Sequence, residues 1–272
     1  MIGSPYLTNL IALWLLAIAL WASSLRAKNV NCVDVGWGLG FVMVAWLSWW
    51  LLERKISMEA SPLLGDPGQR SVWIVAIVTL WGLRLSGYLA WRNWGKPEDH
   101  RYAAMRDYWG DRFVGRSLIT VFSLQACLIW IISLCIQTGI SYEGPVTFLT
   151  WFGFIVWLVG WLFEMVGDWQ MAAFKSDPSN KGRVMNRGLW RYTRHPNYFG
   201  DFLVWWGIYL VSVQLDSWWW TISGPLLMSF LLLRVSGVTL LEKSLSGRIA
   251  DYTEYVRTTS SFIPWPPKQE FK

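Results

Sequence analysis

Apolar runs of about 20 residues recur along this chain, and each is as long as a helix needs to be to cross a bilayer. Seven can be marked off: Tyr6–Leu25, Val33–Leu52, Val72–Trp91, Ser117–Ile140, Val146–Gly167, Tyr198–Val213 and Trp218–Val238. A water-soluble chain of 272 residues cannot bury so many. Hydrophobic residues make up 54% and charged residues only 15%, with 23 Trp. That excludes a disordered chain and points to lipid as the solvent. The pattern predicts an all-α polytopic membrane protein, a seven-helix bundle in one membrane domain. No cation precedes the first run, whereas Arg26 and Lys28 follow it, so it reads as a retained span rather than a cleaved leader.

The cations support this count. Twenty of the 24 Lys and Arg lie on one side of the alternating topology. Arg54, Lys55 and Arg70 lie on the other, and Arg84 falls inside a span. The positive-inside bias then places the N-terminus outside and the C-terminus in the cytoplasm. The net charge of +6 is mainly topological. It leaves a basic cytoplasmic face suited to anionic headgroups or a phosphorylated ligand. No nucleic-acid-binding module accompanies it. Cys32, Cys127 and Cys135 are too scattered for a disulfide framework or a zinc site. His100 reads as a solvated residue of the charged loop Lys96–Arg116, and no metal is expected.

Ionisable groups at membrane depth are costly and mark candidate sites. They are Asp34, Arg84, Glu164, Asp168, Asp201 and Glu242. Glu164 and Asp168 share a helix face, and Asn197 and Asp201 repeat that spacing. The polar loop Trp169–Pro196 ends in the densest motif, Arg194-His195-Pro196-Asn197-Tyr198-Phe199-Gly200-Asp201. Pro196 can begin a helix, whose N-terminus favours an anion. Arg194 can grip phosphate as a fork, and Asn197 can recognise an amide. Gly36-Trp37-Gly38-Leu39-Gly40 lacks a dinucleotide fingerprint and reads as close helix packing.

The run from Asn186 to Asp201, with the tail Leu241-Glu242…Tyr252…Tyr255…Arg257…Phe262-Ile263-Pro264, resembles the C-terminal signature of steroid 5-alpha-reductase-like membrane proteins. Asp34-Val35-Gly36-Trp37-Gly38, Leu80–Tyr88, Arg101-Tyr102…Met105-Arg106 and Gln125 are similar to a bacterial branch of that family. The resemblance implies a bundle holding NADPH in a cavity open to the cytoplasm, most naturally in a bacterial inner membrane. Residues 1–140 would serve a lipophilic substrate and residues 141–272 the cofactor. Hydride would pass to an enone-type C=C. The matching cofactor positions are Asp168, Arg183, Asn186, Gly188, Leu189, Tyr192, Arg194, His195, Asn197, Tyr198, Asp201 and Glu242. The family's Gln–Glu pair near the second span is missing here. The chemistry needs a proton donor at the carbonyl oxygen. Asp34 as acid, Tyr88 as donor and Arg84 as electrostatic partner are the candidates. Isoprenylcysteine and phospholipid methyltransferases share the Arg-His-Pro and tail motifs and use S-adenosylmethionine, which is the alternative activity. A non-catalytic lipid- or quinone-binding membrane component is the third.

Overall fold

The computed structural model describes residues 4–59, 69–142, 145–235 and 251–268. Among these, every regular element is helical and no strand occurs. Five stretches are long and apolar enough to cross a membrane: Pro5–Ala27, Cys32–Lys55, Arg70–Asn93, His100–Ile132 and Phe148–Ser176. The chain is a helical membrane protein. It divides into two units, residues 1–147 with 211–224, and residues 148–210 with 225–272.

The first unit opens with α1 (Pro5–Ala27), α2 (Cys32–Glu59) and α3 (Gln69–Asn93). On α1, Leu7, Ile11, Leu15 and Ile18 form an exposed apolar stripe, while Asn9, Leu13, Ala17 and Ser24 are buried. This inverts the usual globular order, because the outer solvent is hydrocarbon. Between α2 and α3 small residues let the backbones close. A Cβ on Gly38 would lie 2.5 Å from both the Gly82 carbonyl oxygen and Ser86 Oγ. Ser86 Oγ in turn donates to the Val35 carbonyl at 2.8 Å.

After α3 come α4 (His100–Trp109), α5 (Phe113–Ser117), a π-helical turn at Leu118–Ser123, α6 (Leu124–Ile132) and α7 (Leu134–Ser141). The sequence pattern predicts one unbroken span over Ser117–Ile140. The structure instead starts the helical stretch at His100 and breaks it at Ser133. The Trp130 carbonyl accepts from Ser133 Oγ at 3.0 Å and from Gln137 Nε2 at 3.3 Å. Such side-chain donors draw the backbone away from its regular ladder. Asn9 Nδ2 then donates to Ser48 Oγ at 2.8 Å and to Gln137 Oε1 at 3.1 Å. The break is thereby tied to α1 and α2 in a fully buried polar cluster.

The second unit is built on α8 (Phe148–Ser176) and α9 (Pro196–Ser212), the latter contributing its residues up to 210. As its sequence suggests, α9 starts at Pro196. A Cβ on Gly200 would lie 2.6 Å from the Gly160 carbonyl oxygen, and one on Gly207 2.5 Å from the Trp157 nitrogen. These glycines set the close approach of α8 and α9. At 17 residues α9 is about 26 Å long, short of the roughly 30 Å hydrocarbon core. Along the chain after α9 come α10 (Trp218–Thr221), which falls in the first unit, then α11 (Ser223–Phe230) and a π-helical turn at Leu231–Val235. The tail helix is α12 (Tyr252–Thr258). Beyond Val235, the remainder of the expected run Trp218–Val238 lies outside the described residues.

Candidate functional site

The loop between α8 and α9 is fastened over residues 188–194, where it leads into α9. Gln170 Oε1 accepts the Leu189 N–H at 3.0 Å. Gly188 has φ +57°, and a Cβ there would run into the Gln170 side chain, so the position calls for glycine. Trp190 is buried and its Nε1 donates to the Gly167 carbonyl of α8 at 3.0 Å. The Tyr255 hydroxyl of α12 donates to the Trp190 carbonyl. Burial pushes the Tyr255 phenol above its ordinary range, which keeps it a donor.

The tail closes over the end of this loop. Arg194 N donates to the Ser260 carbonyl at 2.9 Å, Thr193 Oγ1 to the Phe262 carbonyl at 2.8 Å, and Trp265 N to the Tyr192 carbonyl at 2.9 Å. The Phe262 ring packs edge-on against Phe199 and Phe202 of α9. Arg194 itself is buried. Its Nη1 donates to the carbonyls of Val256, at 3.0 Å, and Thr259. These lie at the C-terminal end of α12, where unpaired carbonyls and the helix dipole favour a cation. Arg194, expected as a phosphate ligand, thus holds the tail helix in place.

The other expected cofactor positions divide into an inner and an outer set. Inside, Asn197 Nδ2 donates to Asp168 Oδ1 at 3.1 Å, and the Asn197 Oδ1 accepts the Tyr198 N–H at 3.1 Å. Asp168 and Glu164 are buried one turn apart on α8. His195 is buried and stacks on Tyr198, with ring centroids 5.5 Å apart and planes 4° from parallel. Asp201 is half-buried on α9. Outside, Arg183 and Tyr192 are exposed, while Asn186 and Leu189 are half-buried. Arg187 and Arg191, which the motif reading did not single out, are exposed on the same loop. Glu242 lies outside the described residues. Gln170, Trp190 and Thr193 also escaped the sequence reading as fasteners. Their partners are backbone groups, which leave no mark in side-chain spacing.

In the first unit Asp34 sits in the first turn of α2 and accepts the Tyr102 hydroxyl at 3.0 Å. Tyr102, on α4, is buried. Two guanidinium groups lie over the Tyr88 ring, with Arg84 Cζ 5.6 Å and Arg92 Cζ 5.8 Å from its centroid. So Arg84 and Tyr88 come together as a pair, and Asp34 pairs with a tyrosine other than the one anticipated. The signal for Tyr102 was its place in the Arg101-Tyr102…Met105-Arg106 stretch.

The family described as Protein of unknown function (DUF1295) matches residues 20–259. Two similar proteins come from Schizosaccharomyces pombe. Uncharacterized protein C594.04c is 24% identical over 244 residues, covering 79% of this chain and 68% of that protein. Uncharacterized protein C9.08c is 28% identical over 110 residues, covering 34% and 39%. The probable O-methyltransferase ustE of Ustilaginoidea virens is 42% identical over 53 residues, covering 20% and 18%. The chain thus spans well under half the length of the last two. No solved structure matches it.

Proposed function

The chain belongs to the DUF1295 family, and from that premise we propose that it is a membrane oxidoreductase, reducing an activated C=C of a lipophilic, enone-type substrate with NADPH. The observation that carries this reading is the exposure of Arg183, Arg187 and Arg191 on a loop whose backbone is fastened to α8 and to the tail. Topology asks only that cations lie on one side. It does not ask that the loop bearing them be held still. Guanidiniums borne on such a loop suit the phosphates of NADPH. S-adenosylmethionine has no phosphate and carries a sulfonium cation that they would repel.

When bound, NADPH supplies the hydride. Asp168 and Asn197 suit ribose hydroxyls and the carboxamide, since together they offer carboxylate acceptors and amide groups. Gln170, Tyr255 and Arg194 position the loop. In the first unit Tyr88 is the proposed donor of the proton that the developing enolate oxygen takes, with Asp34 as acid and Arg84 as electrostatic partner. Tyr102 steadies the Asp34 carboxylate. The same reading has seven spans, the N-terminus outside, and the loop facing the cytoplasm, in a bacterial inner membrane.

The similarity to a probable O-methyltransferase favours a second reading, transfer of a methyl group from S-adenosylmethionine to a lipophilic acceptor. Thermal shift of the detergent-purified protein separates the two. NADPH should stabilise, NADH should do so less because it lacks the ribose phosphate, and S-adenosylmethionine should have no effect. Stabilisation by S-adenosylmethionine alone overturns the reductase reading in favour of the methyltransferase. Stabilisation by none overturns both and leaves a non-catalytic membrane component.

A further inference from the structure

The segment after α3 in the first unit is held rigidly while displaying an unusual surface. Val30 N donates to Glu98 Oε1 at 2.9 Å, Asp99 N to Asn31 Oδ1 at 2.9 Å, and Asn31 Nδ2 to the Pro97 carbonyl at 3.2 Å. Tyr102 adds its bond to Asp34. Four links therefore tie this segment to the α1–α2 turn and the start of α2. Two of its cations are internally matched. Arg106 grips Glu98 through two hydrogen bonds of 2.8 and 3.0 Å, and Arg101 binds Asp99, which also caps the N-terminus of α4.

Other cations are not matched in this way. Lys96, Arg112 and Arg116 are exposed and form no ion pair among the described residues. Beside them stand large rings: Trp91, Trp94 and Tyr108 are 65%, 86% and 79% exposed. Arg116 lies over the Trp109 ring, 4.7 Å from its centroid. Rings this exposed in a fixed backbone mark an interaction surface. Trp91 and Trp94 stand at the end of α3, a membrane-crossing helix, which is where headgroups begin. A soluble polyanion would be met by the cations alone. Amphipathic rings interleaved with cations match an interface that is apolar on one side and anionic on the other.

We propose that residues 91–116 form a preorganised platform for the headgroups of anionic phospholipid. The links that fix it are separate from the groups that would touch lipid, so the surface can be altered without loosening the fold. This proposal does not depend on the hydride-transfer reading.

The test uses the full chain in nanodiscs of phosphatidylcholine containing a photoactivatable phosphatidylglycerol, with crosslinks mapped by mass spectrometry. Crosslinks should concentrate at residues 91–116. Replacing Lys96, Arg112 and Arg116 by Gln should reduce them at least fivefold, since each surface cation contributes about that factor. The variant Arg112→Lys with Arg116→Lys, which keeps the charge, should retain them. Crosslinks spread evenly over all helix ends, or unchanged in the Gln variant, overturn the proposal. Loss of crosslinking on adding millimolar inorganic phosphate, at constant ionic strength, overturns it in favour of a soluble-anion site.

Discussion

Arg194 and Arg183 are eleven positions apart in one polar stretch, yet their side chains have different surroundings. Arg194 is buried and donates to the carbonyls of Val256 and Thr259, while Arg183 is exposed. Hydrogen bonds from a charged donor contribute about 1.5–3 kcal/mol each, and leaving buried carbonyls unmet adds to the loss. Arg194→Gln should therefore destabilise the protein by about 2–3 kcal/mol. Arg183→Gln should leave the melting temperature unchanged and weaken NADPH about tenfold, or roughly 1.4 kcal/mol. Differential scanning fluorimetry and an NADPH titration on both variants check the contrast. The guanidinium was legible in the sequence only as a phosphate fork. Its acceptor was not, because the carbonyls it reaches belong to a helix end 62 and 65 residues later.

Glu98 ties acid stability to a single carboxylate. Burial alone would raise its carboxyl, but hydrogen bonds from Arg106 and the Val30 N–H outweigh this and hold it below the ordinary value of 4.5. A carboxylate depressed in the folded state adds stability that is complete above its ordinary value. That stability is lost as pH falls below about 4.5 and through the depressed value. Melting temperature measured from about pH 6 down to about pH 3 should thus fall more steeply for the wild type than for Glu98→Gln. Parallel curves would show that the carboxylate adds nothing.

Among the elements, the contact between α8 and α9 is the most exacting. A Cβ at Gly200 would meet the backbone of Glu164 and the Gly160 carbonyl, and backbone cannot turn aside as a side chain can. Gly200→Ala should destabilise by about 1–3 kcal/mol through overpacking, whereas Gly87→Ala, with open space around its Cβ, should be tolerated. Thermal melts in detergent compare them. The long helices were legible because an apolar run of membrane length admits little else. The break at Ser133 was not, since it depends on which side chains reach the Trp130 carbonyl. By sequence, helix α4 falls in the charged loop Lys96–Arg116. Its one local signal was Asp99, whose carboxylate accepts the Arg101 N–H as an N-cap. Its register is then fixed from outside, by Glu98 and by Tyr102 on Asp34.

At the scale of the whole molecule, the cation asymmetry and the helices make one testable statement about topology. Five stretches meet the length of a membrane crossing outright. The proposed sixth, α9, falls a few ångströms short, a mismatch that local thinning of the bilayer can absorb. Reporter fusions should place the N-terminus outside and the C-terminus in the cytoplasm. Both termini on one side would remove a span and with it the seven-helix reading. Membrane class and the basic character of the loop between α8 and α9 were legible from composition and motif together. The way the loop is fastened was not, because it rests on Trp190, Thr193 and Tyr255 meeting backbone groups in α8, in the tail and in the loop itself.

We propose that the loop between α8 and α9 holds a phosphate-bearing dinucleotide. Hydrogen–deuterium exchange of the purified protein, with and without NADPH, addresses it directly. Amides of residues 183–191 should gain protection with NADPH and none with S-adenosylmethionine. Protection of those amides by S-adenosylmethionine, or no change with NADPH at saturating concentration, would contradict it.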